Sequence, residues 1–413
     1  MSSNRRQFLK KSARGLALAG AVPLLSRHAL ASDLIAPGFS SLPEGDIEAS
    51  NLEALPGKVG LIKRTWRPPN YETPPEYFTT DVTPNKAFFV RWHLANIPQV
   101  GADKWTLKVG GEAAATPFEL TLDQLKRDFT PAEIVAVNQC SGNRRGLSNP
   151  HVVGVEWGVG AMGNARWKGA RLKDVLAKAG LKKETLEIVL DGADGPVLPG
   201  TPDFVKSIPV WKALDENALI AYEMNGEPLP HWNGYPARIV VPGWTGTYWM
   251  KQVVSISAVS KPFDGFWMKS AYRIPRGKFP LIDRFISQET DVNTPITEIV
   301  VNSLITSLSA GQKIPLGSPV NVTGVAWDGG YGIARVDVST DNGRTWNQAA
   351  LGQDLGRFSF RSFIYSVTPA ARGPLVVTAR ATNKAGSTQT TDLIFNPPGY
   401  HNNVEQRIAI DIV

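Results

Sequence analysis

An α+β chain of two domains is the fold class the sequence predicts, on three observations. Short apolar runs alternate with brief helical patterns from Ala87 to about Ser260, regular short strands and turns fill the C-terminal part, and a Pro-containing stretch from Ile274 to Pro295 separates the two textures. With 413 residues, 42% of them hydrophobic, the chain can bury two substantial cores.

The elements follow in order. Ser3-Asn4-Arg5-Arg6-Gln7-Phe8-Leu9-Lys10, a mildly apolar stretch through Leu25 and the small-residue pattern Ala29-Leu30-Ala31 read as a twin-arginine export signal spanning residues 1–31. A periplasmic destination follows, along with a cofactor inserted before export. Six of the 44 Lys and Arg lie in residues 1–31 and none of the 37 acids does, so the rest of the chain stands at +1 against +7 for the whole. The basic balance belongs to the signal, and no nucleic-acid footprint remains. No later segment offers about 20 consecutive apolar residues, so no membrane span is expected.

Residues 32 to about 80, rich in Pro, Ser and Gly, read as an extended lead-in that wraps the core of a domain covering 32–290. Within that domain Arg171–Ala179 is the clearest helix, with Leu172, Val175 and Leu176 on one face and Gly180 as its stop. The second domain, 291–413, shows Pro319–Gly324, Ala334–Ser339 and Leu375–Ala381 as strands, with Asn342-Gly343 as a hairpin turn. That texture suggests an immunoglobulin-like β-sandwich. Asn321-Val322-Thr323 matches a glycosylation sequon but reads as ordinary strand.

Two motifs lead away from common chemistry. Gly158-Val159-Gly160-Ala161-Met162-Gly163 has dinucleotide-fingerprint spacing, yet six residues intervene before the helix that should face a pyrophosphate. After residue 31 the histidines are His93, His151, His231 and His401, with no pair at zinc or haem spacing. A single cysteine excludes a disulfide scaffold. An apolar run, Ile134 to Val137, delivers that cysteine into the small polar loop Asn138-Gln139-Cys140-Ser141-Gly142-Asn143-Arg144-Arg145-Gly146. Neighbouring cations favour the thiolate, the form that ligates soft metals. Arg91 and His93, two apart, share a face of a strand.

Cys140-Ser141-Gly142-Asn143-Arg144-Arg145 resembles the molybdenum-binding segment of the sulfite oxidase family. The likeness continues through Asn164–Gly169, Ala221–Pro230, Val241–Gly246, and Ala326–Gly330 with Val338–Gly343, which resemble the family's dimerisation domain. It is nearest to bacterial periplasmic sulfite dehydrogenases without a fused cytochrome domain. The resemblance implies a sulfite-oxidase-type molybdopterin domain followed by an immunoglobulin-like dimerisation domain, with molybdenum and molybdopterin as cofactors and no haem. Cys140 becomes the thiolate ligand of the metal. Arg91, Arg145 and Tyr272 become the catalytic, substrate-facing residues. Phe89, Arg91, His93, Asp194, Ser207, Asn233, Arg238 and Lys251 become the cofactor-binding set. Sulfite is the implied substrate, a separate c-type cytochrome the electron acceptor, and a homodimer through the second domain the assembly.

The chain departs from the family pattern at Asn233, where a histidine is common, and at Asn402, where some relatives place a pocket arginine. Planar, always-charged arginines suit a small oxyanion better than lysines do. Other readings stay open: the molybdenum subunit of a thiosulfate-oxidising complex, a molybdenum reductase acting on sulfoxides, or a non-catalytic member of the fold.

Overall fold

A computed structural model of the protein describes residues 52–413. The twin-arginine signal and the first part of the lead-in, through residue 51, lie outside these residues. What remains of the lead-in is not featureless. Leu52–Ala54, Gly60–Thr65, Asn70–Glu72 and Val90–Arg91 form a four-stranded antiparallel sheet in that order. Strands of two to six residues leave too little alternation to read, and the fourth partner comes from well beyond the stretch read as lead-in.

Two further sheets build the rest of the first domain. One has the order Val205–Pro209, Glu187–Gly192, Val253–Val259, Thr106–Gly110, Phe118–Thr121. Its one parallel pair joins Val253–Val259 to Thr106–Gly110. The other runs Glu227–Pro228, Leu219–Met224, Met162–Arg171, Pro131–Gln139, with Arg238–Val240 also on Leu219–Met224. The expected helix is present as Leu172–Ala179, ended by Gly180 at φ 65°. Thr121 and Gln124 cap the helix Leu122–Asp128 reciprocally. Trp105, Trp157, Trp167, Trp244 and Trp249 are buried in one continuous core.

The dinucleotide-like glycines run into the strand Met162–Arg171 and not into a helix. They serve close packing instead. A Cβ at Gly160 would lie 2.1 Å from the Thr73 carbonyl oxygen. Gly158 N and Gly160 N donate to the buried Glu72 carboxylate at 2.5 and 2.8 Å, and Arg64 pairs with the same group. Glu72→Ala should therefore cost about 3–5 kcal/mol of stability, because it leaves two buried N–H groups unpaired and Arg64 with one carboxylate fewer. Chemical denaturation of the variant beside the parent checks this, and a change below about 1 kcal/mol would contradict it.

In the second domain two sheets face each other. One is Asn302–Ile305, Val320–Trp327, Arg361–Val367, Ala350–Leu351, and the other Lys313–Ile314, Gln406–Ile412, Gly373–Asn383, Ile333–Ser339, Asn347–Gln348. Val320, Val322, Val336, Val338, Phe363, Val377, Ile408 and Ile410 fill the space between them. Each such residue contributes about 1.5–3 kcal/mol on burial. Asn342 and Gly343 have φ of 60° and 80°, as expected for a turn, but the strands they join, Ile333–Ser339 and Asn347–Gln348, are linked by the longer loop 340–346 and not by a two-residue hairpin. Asn321 is an exposed strand position whose amide oxygen accepts from Ser366.

A separate cluster of Phe78, Val137, Leu147, Val159, Ile299, Leu304, Val325, Trp327 and Phe360 joins the domains. Val137 N donates to Phe358 O at 2.9 Å and Arg144 Nη1 to Asn302 Oδ1 at 2.6 Å across that seam. Among the described residues no helix is long and apolar enough to cross a membrane.

Candidate active site

The strand Pro131–Gln139 stops where Cys140 begins a tight loop. Cys140 N donates to Ala161 O at 2.9 Å, Asn143 N to Cys140 O at 3.0 Å, and Arg144 takes φ 68° so that the next residues turn away. The thiol is thereby held, buried and unpaired with any other cysteine, against a cavity of about 420 Å³ including its open mouth. Phe89, Arg91, His93, Cys140, Arg238, Lys251 and Tyr272, all expected from the sequence, line it together. They arrive from four separate stretches of chain, which the folding of the sheets brings to one place.

Arg91 ends the strand Val90–Arg91 and His93 lies in the bend just beyond it, so the two do not share a strand face as expected, yet both side chains line the cavity. Arg91 Nη2 donates to the Tyr272 hydroxyl oxygen at 3.3 Å, and Arg91 also bonds Asn70 Oδ1 and the Trp92 carbonyl. Since arginine can only donate, the Tyr272 proton is directed to His93 Nε2, its other partner. The His93 proton then sits on Nδ1, a buried atom with no protein partner. Burial, then the charges of Arg91, Lys251 and Lys206, hold this imidazole neutral, well below its usual range. Burial raises the Tyr272 phenol, so it keeps its proton. Burial opposes the Arg91 charge, but the guanidinium keeps it, donating to the Tyr272 hydroxyl oxygen. Tyr272 itself sits at φ 58°, a costly left-handed conformation for an aromatic residue.

Lys251 lies over the Trp92 ring at 4.4 Å, and burial, then Arg238, pushes its amine down to about 7. Arg238 Nη1 and Nη2 donate to Asn233 O and Trp249 O, both at 2.9 Å.

Four expected residues stand elsewhere. Asp194 is buried outside the lining, where its charge works on Lys251. Ser207 is buried one residue beyond Lys206 on the strand that follows the lining residue Phe204, with its hydroxyl unpaired. The Asn233 amide is spent within the protein, accepting from Lys58 Nζ at 2.6 Å and donating to Phe89 O at 3.0 Å. It braces the wall and not the cavity. Arg145 differs most from expectation. Its Nε donates to Pro398 O at 2.7 Å and Nη1 to Val155 O at 3.2 Å, while its Cζ lies 5.2 Å above the Tyr400 ring. It occupies a slot cut by glycines, since a Cβ at Gly142 or Gly154 would approach its guanidinium to 2.7 or 2.8 Å. Arg145 is thus one ring removed from Tyr272. Asn402 holds Arg144 O at 3.0 Å and accepts from Val404 N, away from the cavity.

Sequence reasoning missed Asn138, Ser141, Phe204, Gly246, Thr247 and Trp249 as lining residues, and Lys206 and Tyr400 behind them. Phe204 stacks on His93 with centroids 3.4 Å apart. Lys206, fully buried, donates to Trp267 O at 2.7 Å and lies over the Tyr272 ring at 5.1 Å. Only adjacency to motif residues such as Gly246 and Ser207 could have pointed to them.

The lining fits a large polar ligand that carries a metal. His93 Nδ1, Asn138 Oδ1, Ser141 Oγ, Arg238 Nε and Thr247 Oγ1 are buried and unpaired around the cavity, and buried polar groups seldom go unsatisfied. Among the described residues no group of three His, Cys, Asp or Glu could hold a metal. A metal on Cys140 would need its other ligands from a small molecule.

The two domains each match a known family. Residues 93–267 match the model of the oxidoreductase molybdopterin binding domain, and 293–413 that of the Mo-co oxidoreductase dimerisation domain. Mitochondrial sulfite oxidase of Rattus norvegicus is 35% identical over 362 residues, 84% of this chain and 65% of that protein. The Homo sapiens enzyme is 35% identical over 359 residues, 83% and 64%. The chain therefore spans just under two thirds of these relatives. The crystal structure of the sulfane dehydrogenase SoxCD from Paracoccus pantotrophus superposes with a TM-score of 0.71, covering 99% of this chain and 97% of that one at 22% identity. At that identity the likeness shows the fold.

Proposed function

Because the chain joins the molybdopterin-binding and dimerisation domains of the molybdopterin oxidoreductases and is related to the sulfite oxidases, we propose that it is a molybdenum enzyme oxidising a reduced sulfur group. The observation that carries this reading is the convergence of Cys140, Arg91, His93 and Tyr272 on one cavity with unpaired polar atoms. Cys140 would hold the metal. His93, Ser207, Arg238 and Lys251 would hold the pterin and its phosphate, with Asp194 moderating the Lys251 charge. When bound, the cofactor supplies the two-electron redox change and the oxygen transfer.

The chain's own residues do the rest. Arg91 binds an anionic oxygen of the substrate. Tyr272, protonated and anchored between Arg91 and His93, offers a hydrogen bond to the same group. Phe89, Phe204 and Trp249 keep that corner apolar, which strengthens both contacts. With sulfite as substrate, water supplies the oxygen of sulfate, and two protons and two electrons leave.

Two substrates suit this site. Sulfite is supported by 35% identity to sulfite oxidases. A sulfane sulfur, as in a thiosulfate-oxidising complex, is suggested by the end-to-end likeness in fold to a sulfane dehydrogenase. Export by the twin-arginine route, a c-type cytochrome as acceptor and a homodimer through residues 293–413 complete the reading.

The test is metal and pterin analysis of the purified protein, joined to turnover on sulfite and on a protein-bound persulfide with a c-type cytochrome as acceptor. Stoichiometric molybdenum with turnover on one of the two is expected. A metal-loaded protein inert to both would reject the reading.

A further inference from the structure

The second domain reaches into the cavity wall of the first. Tyr400, on the segment between the strands Gly373–Asn383 and Gln406–Ile412, stacks on Tyr272 with centroids 5.7 Å apart and planes 3° from parallel. On Tyr400 rests the Arg145 guanidinium, 5.2 Å from the ring centre. The stack is pinned at every level. Asn396 grips the Tyr400 backbone on both sides, accepting from its N–H at 2.9 Å and donating to its carbonyl at 2.8 Å. Arg145 is tied to Pro398 O, two residues before Tyr400, and Gly399 lets the chain pass, since a Cβ there would lie 2.9 Å from Arg145 Cγ. Nothing comparable holds Tyr272 from its own backbone, which sits at φ 58° with its carbonyl bonded to Ile296 N. A side chain on a strained backbone keeps its place only if its surroundings dictate it.

We propose that Tyr400 is a positioning residue for Tyr272: its ring, clamped between Arg145 and the Asn396 turn, keeps the Tyr272 hydroxyl on Arg91 and His93. The face of the ring does this work, and the Tyr400 hydroxyl has no part in it. The second domain is then part of the site as well as of the assembly, and Arg145 acts on the pocket through Tyr400.

The activity arm rests on the sulfur-oxidation reading above, and a second arm does not. Tyr400→Phe should leave kcat/KM within about two-fold, because the stacking ring remains. Tyr400→Leu should lower it roughly ten-fold or more at unchanged molybdenum content, since small misplacements of a reacting group are costly. In a Tyr272→Phe background the same Leu change should add less than about two-fold. Independently of turnover, protein labelled with 13Cζ-tyrosine should show the Tyr272 signal, identified by its loss in Tyr272→Phe, shifted in Tyr400→Leu and nearly unmoved in Tyr400→Phe. Tyr400→Met replaces the Leu variant if that one does not fold.

Equal losses in both backgrounds, a Phe variant as impaired as Leu, or an unmoved Tyr272 signal would each overturn the proposal. So would failure of both ringless variants to fold while Tyr400→Phe folds, which would make the ring a general packing element. If the parent protein oxidises neither sulfur substrate, the sulfur reading fails while the Tyr272 signal still decides this one.

Discussion

Cys140→Ser should lose more than about a hundred-fold in turnover while keeping its pterin, because even partners outside the ligand sphere of a metal are worth 10–100-fold. The hydroxyl stays protonated where a thiol can give a soft thiolate, so a metal held by Cys140 would lose that ligand. The fold should survive. Both hydrogen bonds that shape the loop at this position, Cys140 N to Ala161 O and Asn143 N to Cys140 O, belong to the backbone. The pterin should stay because Lys251, Arg238 and His93 lie on other elements of the cavity wall. The measurement is molybdenum and pterin content beside the rate on whichever sulfur substrate the parent oxidises. Near-normal turnover with normal metal would remove Cys140 from the ligand role.

Arg91→Gln should instead keep both metal and pterin and lower kcat/KM about ten- to a hundred-fold, the loss expected from a charge-assisted hydrogen bond of about 1.5–3 kcal/mol. Arg91 is the guanidinium that touches Tyr272 and lines the cavity with Cys140. Its removal also lifts one of the charges that, after burial, depress the His93 imidazole. The pH profile of kcat/KM should therefore change shape in this variant as His93 becomes easier to protonate. Arg91→Lys should recover part of the loss, since a point charge cannot reproduce a planar two-pronged donor. Unchanged kinetics in Arg91→Gln would place the substrate somewhere else.

Much of this site was legible because its residues sit in short contiguous motifs. Phe89, Arg91 and His93 come from one stretch, Cys140 follows directly on one strand, and Tyr272 lies in the run Met268-Lys269-Ser270-Ala271-Tyr272-Arg273. Local signals carried the fold equally well where they were strong: the amphipathic Leu172–Ala179 helix with its glycine stop, and the turn at Asn342-Gly343, though within a longer loop than a two-residue hairpin. Illegible were the partners that meet across long separations. Tyr400 and Tyr272 are 128 positions apart, and the bond from Arg145 to Pro398 spans 253. The small N-terminal sheet escaped for a related reason, since strands of two to six residues take their stability from neighbours and leave no period of their own.

Chemistry, then, was written along the chain, in a lone cysteine beside cations, arginine and histidine two apart, and motifs in family order. Which of those groups actually share a cavity was decided by tertiary structure. Arg145 and Arg91 look alike as residues, yet backbone carbonyls and a glycine slot turn Arg145 against Tyr400 while Arg91 faces the cavity. Asn233, read as a cofactor contact, is claimed by Lys58 and Phe89. The reason is that a side chain's identity sets what it can bond to, whereas its direction follows from backbone torsions and packing contributed by distant segments, here as far off as a second domain.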